Sequence, residues 1–318
     1  MPLLDGLRVL QVGPGPGAAV SGRIMADLGA TVQTVAAGRA TTLSLWLDGG
    51  KQPAAALAEA DLIICEGTPE ELRARGWDET SLRAQAPNAV IVLIGPYGQT
   101  GPQADWPASD LTLFCASGIA YLLTGQVDDL SESPIRPAGR QSSFIGGLAG
   151  ACAGMHALLS GDNNRTVDVS IHEALATLAM TELARAGLGK GSWQRKRLTD
   201  GNGATVTILP ASDGYVAISP RENHQWAAWL TVMGEPEWAA DPRFATKPDR
   251  VANWDALYPM LCAWSRQHTK RWIADAAQEA HVPGYPLQEP HEHLESAQLE
   301  HRGFFRPFEL GGKPVRAP

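Results

Sequence analysis

Two glycine-proline turns are the places where this chain of 318 residues can gather a ligand. Gly13-Pro14-Gly15-Pro16-Gly17 lies between an apolar run and a helical pattern, where free amides and the helix dipole favour an anion. Pro14 and Pro16 carry no N–H, so a rigid turn abutting a ligand is expected there rather than a phosphate cradle. A dinucleotide site needs Gly-x-Gly-x-x-Gly and an acid closing the second strand. That strand reads Val32-Gln33-Thr34-Val35-Ala36, which argues against a nicotinamide cofactor. The second turn, Gly95-Pro96-Tyr97-Gly98-Gln99-Thr100-Gly101-Pro102, follows a buried strand, and ligands of α/β folds gather at the carboxyl ends of such strands.

Other reactive side chains point to no chemistry. Cys65, Cys115, Cys152 and Cys262 lie far apart in apolar runs and are expected as small core residues. No pair has metal-ligand spacing, and His291-Glu292-His293 lacks the HExxH pattern, so no metal is expected. His156 and Cys152 share one face of a helical run and are assigned to the core.

The elements that must position the turns follow from periodicity. Short β-rich runs at Leu7–Val12, Thr31–Val35, Leu62–Cys65, Ala89–Ile94 and Thr166–Ser170 alternate with helical patterns, the signature of a parallel sheet with crossover helices. Helices are expected over Ala18–Leu28, closed by Gly29, and over Ala54–Ala60, Pro69–Arg75, Phe144–Leu159 and His172–Leu188. Gly146, Gly147, Gly150 and Gly154 in the fourth of these call for close backbone approach. The expected architecture is α/β: a Rossmann-like large domain at 1–187, a linker at 188–201 with the basic Arg195-Lys196-Arg197, a small α/β domain at 202–290 and a C-terminal segment at 291–318. In the small domain, strands at Thr205–Ile208 and Tyr215–Ile218 flank Ser212-Asp213-Gly214, and Phe304, Phe305 and Phe308 in the tail need a surface to cover them.

A formal net charge of −8, from 26 Lys and Arg against 34 Asp and Glu, repels polyanions, so a nucleic-acid partner is not expected. Any anionic ligand must be held by local dipoles or a few placed arginines. No apolar run is expected to span a membrane, and Met1-Pro2-Leu3-Leu4-Asp5 lacks signal-peptide regions. The expected location is the cytoplasm.

Five ordered blocks add up to more. Leu4-Asp5-Gly6-Leu7-Arg8-Val9-Leu10, Ala26-Asp27-Leu28-Gly29-Ala30, Tyr97-Gly98-Gln99-Thr100-Gly101-Pro102, Thr166-Val167-Asp168-Val169-Ser170 and Asp241-Pro242-Arg243-Phe244 together resemble the family III CoA-transferases and their relatives, the α-methylacyl-CoA racemases. The resemblance runs from about residue 3 to 306. It implies an intertwined dimer that takes coenzyme A thioesters as substrate, with no permanently bound cofactor. By position it implies that Pro14, Gly15, Pro16 and Gly17 touch CoA and that Glu66 and Gly67 line the adenine pocket. Where the family often has a phosphate-binding arginine this chain has Ala74, and the flanking Arg73 and Arg75 are the candidates to substitute.

The chain departs from the family at the catalytic position. The transferases use an aspartate ahead of the glycine-rich helix as a nucleophile, and the racemases pair it with a histidine at the α-carbon. The aligned residues here are Ser143 and Ser109. A serine cannot form the acyl mixed anhydride and needs a base, for which Glu222 or His224 are the expected partners, no base being expected from the residues around Ser143. Ser143 and Glu222 are therefore the candidate catalytic residues, and loss of the aspartyl route at this chain's own site is the expectation. The leading functional expectation is transfer of CoA between an acyl-CoA and a carboxylic acid, by a homodimer or by a heteromer with an Asp-bearing family member. The alternatives are a non-catalytic CoA-binding or scaffold subunit and racemase-like α-proton chemistry. Relatives run several tens of residues beyond the segment matching Gly303–Pro318, and the stretch Ala36–Lys51 is short and lacks a basic motif, which suggests a compact, divergent paralogue.

Overall fold

Valine, isoleucine and leucine dominate β4 (Leu62–Glu66) and β5 (Val90–Gly95), whose side chains are buried on both faces, as the central strands of a parallel sheet must be. The computed structural model describes residues 2–35, 41–54, 59–123, 129, 131–161, 164–190 and 207–318. The chain divides into two units, Met1–Arg195 with Glu309–Val315, and Lys196–Phe308 with Arg316–Pro318.

In the first unit β1 (Arg8–Val12), β2 (Thr31–Val35) and β3 (Gln52–Pro53) join β4, β5 and β6 (Thr166–Ser170) in a six-stranded parallel sheet of order β3-β2-β1-β4-β5-β6. Helices α1 (Pro16–Asp27), α2 (Thr42–Leu47), α3 (Pro69–Arg75), α4 (Glu79–Gln85), α5 (Asp110–Ala116), α6 (Ile119–Leu123), α7 (Gln141–Leu159), α8 (Ile171–Ala176) and α9 (Met180–Gly187) complete it. Alternate strand residues feed two cores. Leu62, Ile64, Val92 and Ile94 share one cluster with Ala151 and Ala157 of α7, while Ile63, Cys65, Ile91 and Leu93 share the other with Leu72 and Leu82 of α3 and α4.

The glycines of α7 do what their spacing requires. A Cβ on Gly147 would lie 2.6 Å from the Gly17 carbonyl oxygen and from Val20 Cβ, and one on Gly150 would lie 2.7 Å from Ile94. Ser21 Oγ donates to the Gly147 carbonyl at 2.6 Å, tying α1 to α7. With 19 residues and a mean hydropathy of 1.3, α7 is long and apolar enough to cross a membrane by length and composition alone, contrary to expectation. Its glycine edge here packs on protein, and only 44% of the apolar window is buried.

Other expectations need correction. The helix expected over His172–Leu188 is broken by a 3₁₀ turn at Thr177–Ala179, where the Thr177 hydroxyl bonds back to the Ala174 carbonyl at 2.7 Å and competes with the helical ladder. Cys65 and Cys262 are buried, but Cys115 of α5 is exposed, and so are Cys152 and His156, which lie on the outward face of α7, a helix apolar all round. Of the helix expected over Ala54–Ala60, residues 55–58 lie outside the described residues, and Ala54 instead donates its N–H to Thr34 beside β3. The linker from 191 onward and the strand start at Thr205 also lie outside them.

The second unit holds a three-stranded antiparallel sheet of β7 (Thr207–Ala211), β8 (Gly214–Ile218) and β9 (Gly284–Pro286). Against it lie α10 (Asn223–Val232), α11 (Lys247–Ala252), α12 (Trp254–Ser265) and α13 (Lys270–Glu279), with Trp226, Trp229, Phe244, Trp254 and Ile273 in the core. Asp241 caps the turn Pro242–Phe244 and chelates Arg243, and the buried Arg250 donates to the carbonyls of Phe244 and Ala245 at 3.0 and 3.1 Å. These contacts make Asp241-Pro242-Arg243-Phe244 one structural unit in this chain. After α14 (Ala297–His301), β10 (Arg306–Leu310) and β11 (Lys313–Ala317) form a hairpin, and Phe304 just before it stays 46% exposed.

Candidate functional site

Strand order reverses between β1 and β4, since β1 has β2 on one side and β4 on the other. Outside the carboxyl ends of such a pair lies the crevice where open α/β sheets bind ligands. The turn Gly13–Gly17 leaves β1 at this point, with Gly13 at φ +91° and Gly15 as the cap of α1. Gly15 has no side chain to cap the helix. Glu66, at the end of β4, does so instead: its Oε2 accepts the N–H of Ala18 at 2.8 Å, with the Gly17 amide as a second donor. The Glu66 side chain lies directly on Gly15, where a Cβ would be 2.3 Å from Oε2 and 2.5 Å from Cβ and Cδ. Burial pushes the Glu66 carboxyl up to about 7, against the pull of the Ala18 and Gly17 amides and with a further push from Glu71.

Ser143 is the third residue of α7 and approaches the same turn. A Cβ on Gly17 would lie 3.0 Å from Glu66 Oε2 and 3.4 Å from the Ser143 carbonyl oxygen. The structure thus brings Gly15, Gly17, Glu66 and Ser143 together. Ser143 is 9% exposed, and it meets a carboxylate that sequence reasoning missed. Asp110 Oδ1 accepts the backbone N–H of Ser143 at 3.2 Å and stands 3.5 Å from its hydroxyl, while Ser142 Oγ donates to the Asp110 carbonyl at 2.8 Å. The chain neighbours of Ser143 supply no base, as expected, but the expectation that only Glu222 or His224 could do so is corrected by Asp110, 33 residues away in sequence. Ser109, the residue in the racemase histidine's place, is spent on a capping box with Thr112 at the start of α5.

The neighbouring loops are cross-linked. Gln99 donates its N–H to both oxygens of Asp168, at 2.9 and 3.0 Å, and its side-chain amide to the Gly67 carbonyl at 3.1 Å. The blocks Tyr97–Pro102 and Thr166–Ser170 are thereby one structural device that holds Gly67 at the crevice. The Arg75 guanidinium lies 5.4 Å over the ring of Trp77, and that ring borders Gly13, at 3.1 Å from where a Cβ would be. Arg73 leans the other way, 3.8 Å from Asp105. Beneath α1, Lys51 Nζ is buried and donates to Gln11 Oε1, the Ala19 carbonyl and Asp48 at 2.6, 2.9 and 3.1 Å, and burial lowers its pKa.

Glu222 and His224 belong to the second unit and are exposed. Glu222 caps α10 in a reciprocal box with Gln225, whose Oε1 accepts the Glu222 N–H at 3.1 Å, so its side chain has a local structural task. Among the described residues no three His, Cys, Asp or Glu side chains gather as metal ligands.

A family model described as CoA-transferase family III matches residues 38–318. Among curated proteins, a probable CoA-transferase of Mycobacterium tuberculosis is 26% identical over 281 residues, 82% of this chain and 35% of that protein. The succinyl-CoA:(R)-benzylsuccinate CoA-transferase subunit BbsE of Thauera aromatica is 27% identical over 259 residues, 78% of this chain and 62% of that one. The chain therefore spans roughly a third to three fifths of the length of these relatives. Among solved structures, a CAIB/BAIF family protein from Brucella suis shares the fold, with a TM-score of 0.84 at 24% identity, covering 100% of this chain and 92% of that one.

Proposed function

Because the chain belongs to the CoA-transferase family III, we propose that it transfers CoA between an acyl-CoA thioester and a carboxylic acid, taking the CoA into the β1/β4 crevice. The observation that carries this reading is the meeting of the Gly13–Gly17 turn, Ser143 and a carboxylate at the sheet's switch point. Acyl-CoA is a substrate here and no resident cofactor is invoked. Arg75 on Trp77 is the cation best placed beside the turn for a CoA phosphate. Calorimetry with CoA and several acyl-CoAs, followed by chromatography of thioesters after incubation with carboxylate acceptors, tests the reading. It fails if no CoA binds up to millimolar concentration.

A scaffold role beside an Asp-bearing partner is favoured by one observation, Ser143 at the catalytic position. Either role calls for association. Phe144, Leu148, Cys152, His156 and Leu159 form an exposed stripe along α7, and Leu178, Met180 and Leu183 are exposed nearby in sequence. We read this face as the site of a homodimeric or heteromeric contact, to be checked by sedimentation, in a protein that works in the cytoplasm without nucleic acid or membrane.

A further inference from the structure

Among the described residues, Asp110 is the only one that places a carboxylate within hydrogen-bond distance of Ser143. Oδ1 takes both contacts from Ser143, and Oδ2 accepts no hydrogen bond from a described residue. The group is half-buried and sits on the N-terminal amides of a 19-residue helix, whose dipole favours an anion. A serine hydroxyl becomes a nucleophile only when a base takes its proton, whereas a carboxylate is already ionised at neutral pH. Of the two side chains in contact, the carboxylate is the one that can form and break acyl bonds unaided. The Ser142 hydroxyl donates to the Asp110 main-chain carbonyl and fixes the start of α5 against α7, while Ser143 alone of the two serines contacts the carboxyl group.

Resting on the transferase reading above, we propose that Asp110 is the covalent nucleophile of this chain and that Ser143 positions it. A carboxylate oxygen of Asp110 attacks the thioester carbonyl carbon, the C–S bond breaks and CoA leaves as thiolate, giving an acyl-aspartyl anhydride. The thiolate then attacks Asp110 Cγ, the C–O bond to that carbon breaks, and the first acyl group departs as free carboxylate. An acceptor carboxylate reverses the two steps on the aspartyl-CoA thioester, returning a new acyl-CoA and free Asp110. No proton or electron is consumed overall.

The test is to incubate the full chain with acetyl-CoA or succinyl-CoA, reduce with borohydride and map peptides by mass spectrometry. The thioester intermediate predicts an alcohol at residue 110, absent without CoA. Asp110→Asn, which keeps an acceptor for the Ser143 N–H, should lower turnover by about 1,000-fold or more while retaining CoA affinity and melting temperature. Ser143→Ala should lower kcat by about tenfold with KM for acyl-CoA unchanged and the adduct still on residue 110. Wild-type protein that binds CoA but is modified at Ser143 or at neither residue overturns this proposal and leaves the CoA site standing. Near-normal turnover by Asp110→Asn overturns it equally. Failure to bind CoA at all removes both the proposal and the reading on which it rests.

Discussion

Glu66→Gln isolates the electrostatic cost of capping α1 with a buried acid. The carboxyl goes from an ordinary value of 4.5 to about 7 in the folded chain, with burial the largest cause. The folded state therefore holds this proton more tightly than the unfolded state, and stability falls as pH rises from about 4.5 to about 7. A shift of that size corresponds to at most about 3.4 kcal/mol, and the partial exposure of Glu66 reduces it to about 1–3 kcal/mol. Glutamine keeps the shape and an acceptor oxygen for the Ala18 N–H but has nothing to ionise. The variant should match wild type near pH 4.5 and exceed it by about 1–3 kcal/mol at pH 8. Urea unfolding of both proteins across this range, compared by midpoint at constant slope, gives the difference directly. A variant less stable than wild type at pH 8 would refute the reasoning, because it would mean that charge-assisted bonds from Gly17 and Ala18 outweigh burial and that Glu66 works as an anionic cap.

Other expectations test neighbouring contacts. Gly15→Ala places a methyl 2.3 Å from Glu66 Oε2 and 2.5 Å from Glu66 Cβ and should cost about 1–3 kcal/mol; in the Glu66→Gly background, which removes all of these atoms, most of that cost should vanish, and a denaturation double-mutant cycle reads the coupling. Gly147→Ala meets the Gly17 carbonyl and Val20 at 2.6 Å, and a net loss of about 2 kcal/mol or more in chemical denaturation is expected despite alanine's roughly 1 kcal/mol better helix propensity. If Arg75 holds a CoA phosphate, Arg75→Ala should weaken CoA binding by roughly fivefold to tenfold in calorimetry, and Arg73→Ala, which leans to Asp105, by much less.

The centre of the sheet was legible because β4 and β5 are apolar on both faces and the turns carry glycine where φ is positive, as at Gly13 and Gly29, whereas the two-residue edge strand β3, Gln52–Pro53, has no apolar run to mark it. The tight seat of α7 was legible for the same kind of reason, since four glycines on one helix have no purpose without a close neighbour. What such a helix does not reveal is which face looks inward. Gly147 and Leu148 are both compatible with burial by type, yet one touches the Gly17 backbone and the other is exposed, and the exposed Cys152 and His156 were misassigned on that account. The break at Thr177 depends on one hydroxyl choosing the Ala174 carbonyl, a local competition that apolar periodicity does not register.

The site was half legible. The turn and Ser143 stand out by position, but their partners come from elements distant in sequence. Glu66 reaches the turn only because β4 is the neighbour of β1, and Asp110 reaches Ser143, 33 residues away in sequence, only because α5 begins beside the start of α7. Ser109-Asp110 reads from sequence as an ordinary helix start, and nothing local says that its acid also serves a second helix.

These two carboxyl groups also bear on how CoA is held. The N-termini of α1 and α7 both lie at the crevice, and each already gives an amide to an acid from a neighbouring element. Pro14 and Pro16 withdraw two further donors from the turn. Main-chain amides, which carry the pyrophosphate in a dinucleotide site, are therefore largely spent here, and a net charge of −8 adds no long-range attraction. In the proposed transferase the phosphates of CoA must then rest on side-chain cations, which makes binding more sensitive to salt and to loss of Arg75 than a helix-dipole site would be. A CoA affinity unchanged between 50 and 500 mM salt, roughly a threefold shortening of the Debye length, would contradict that inference and return the phosphates to the backbone.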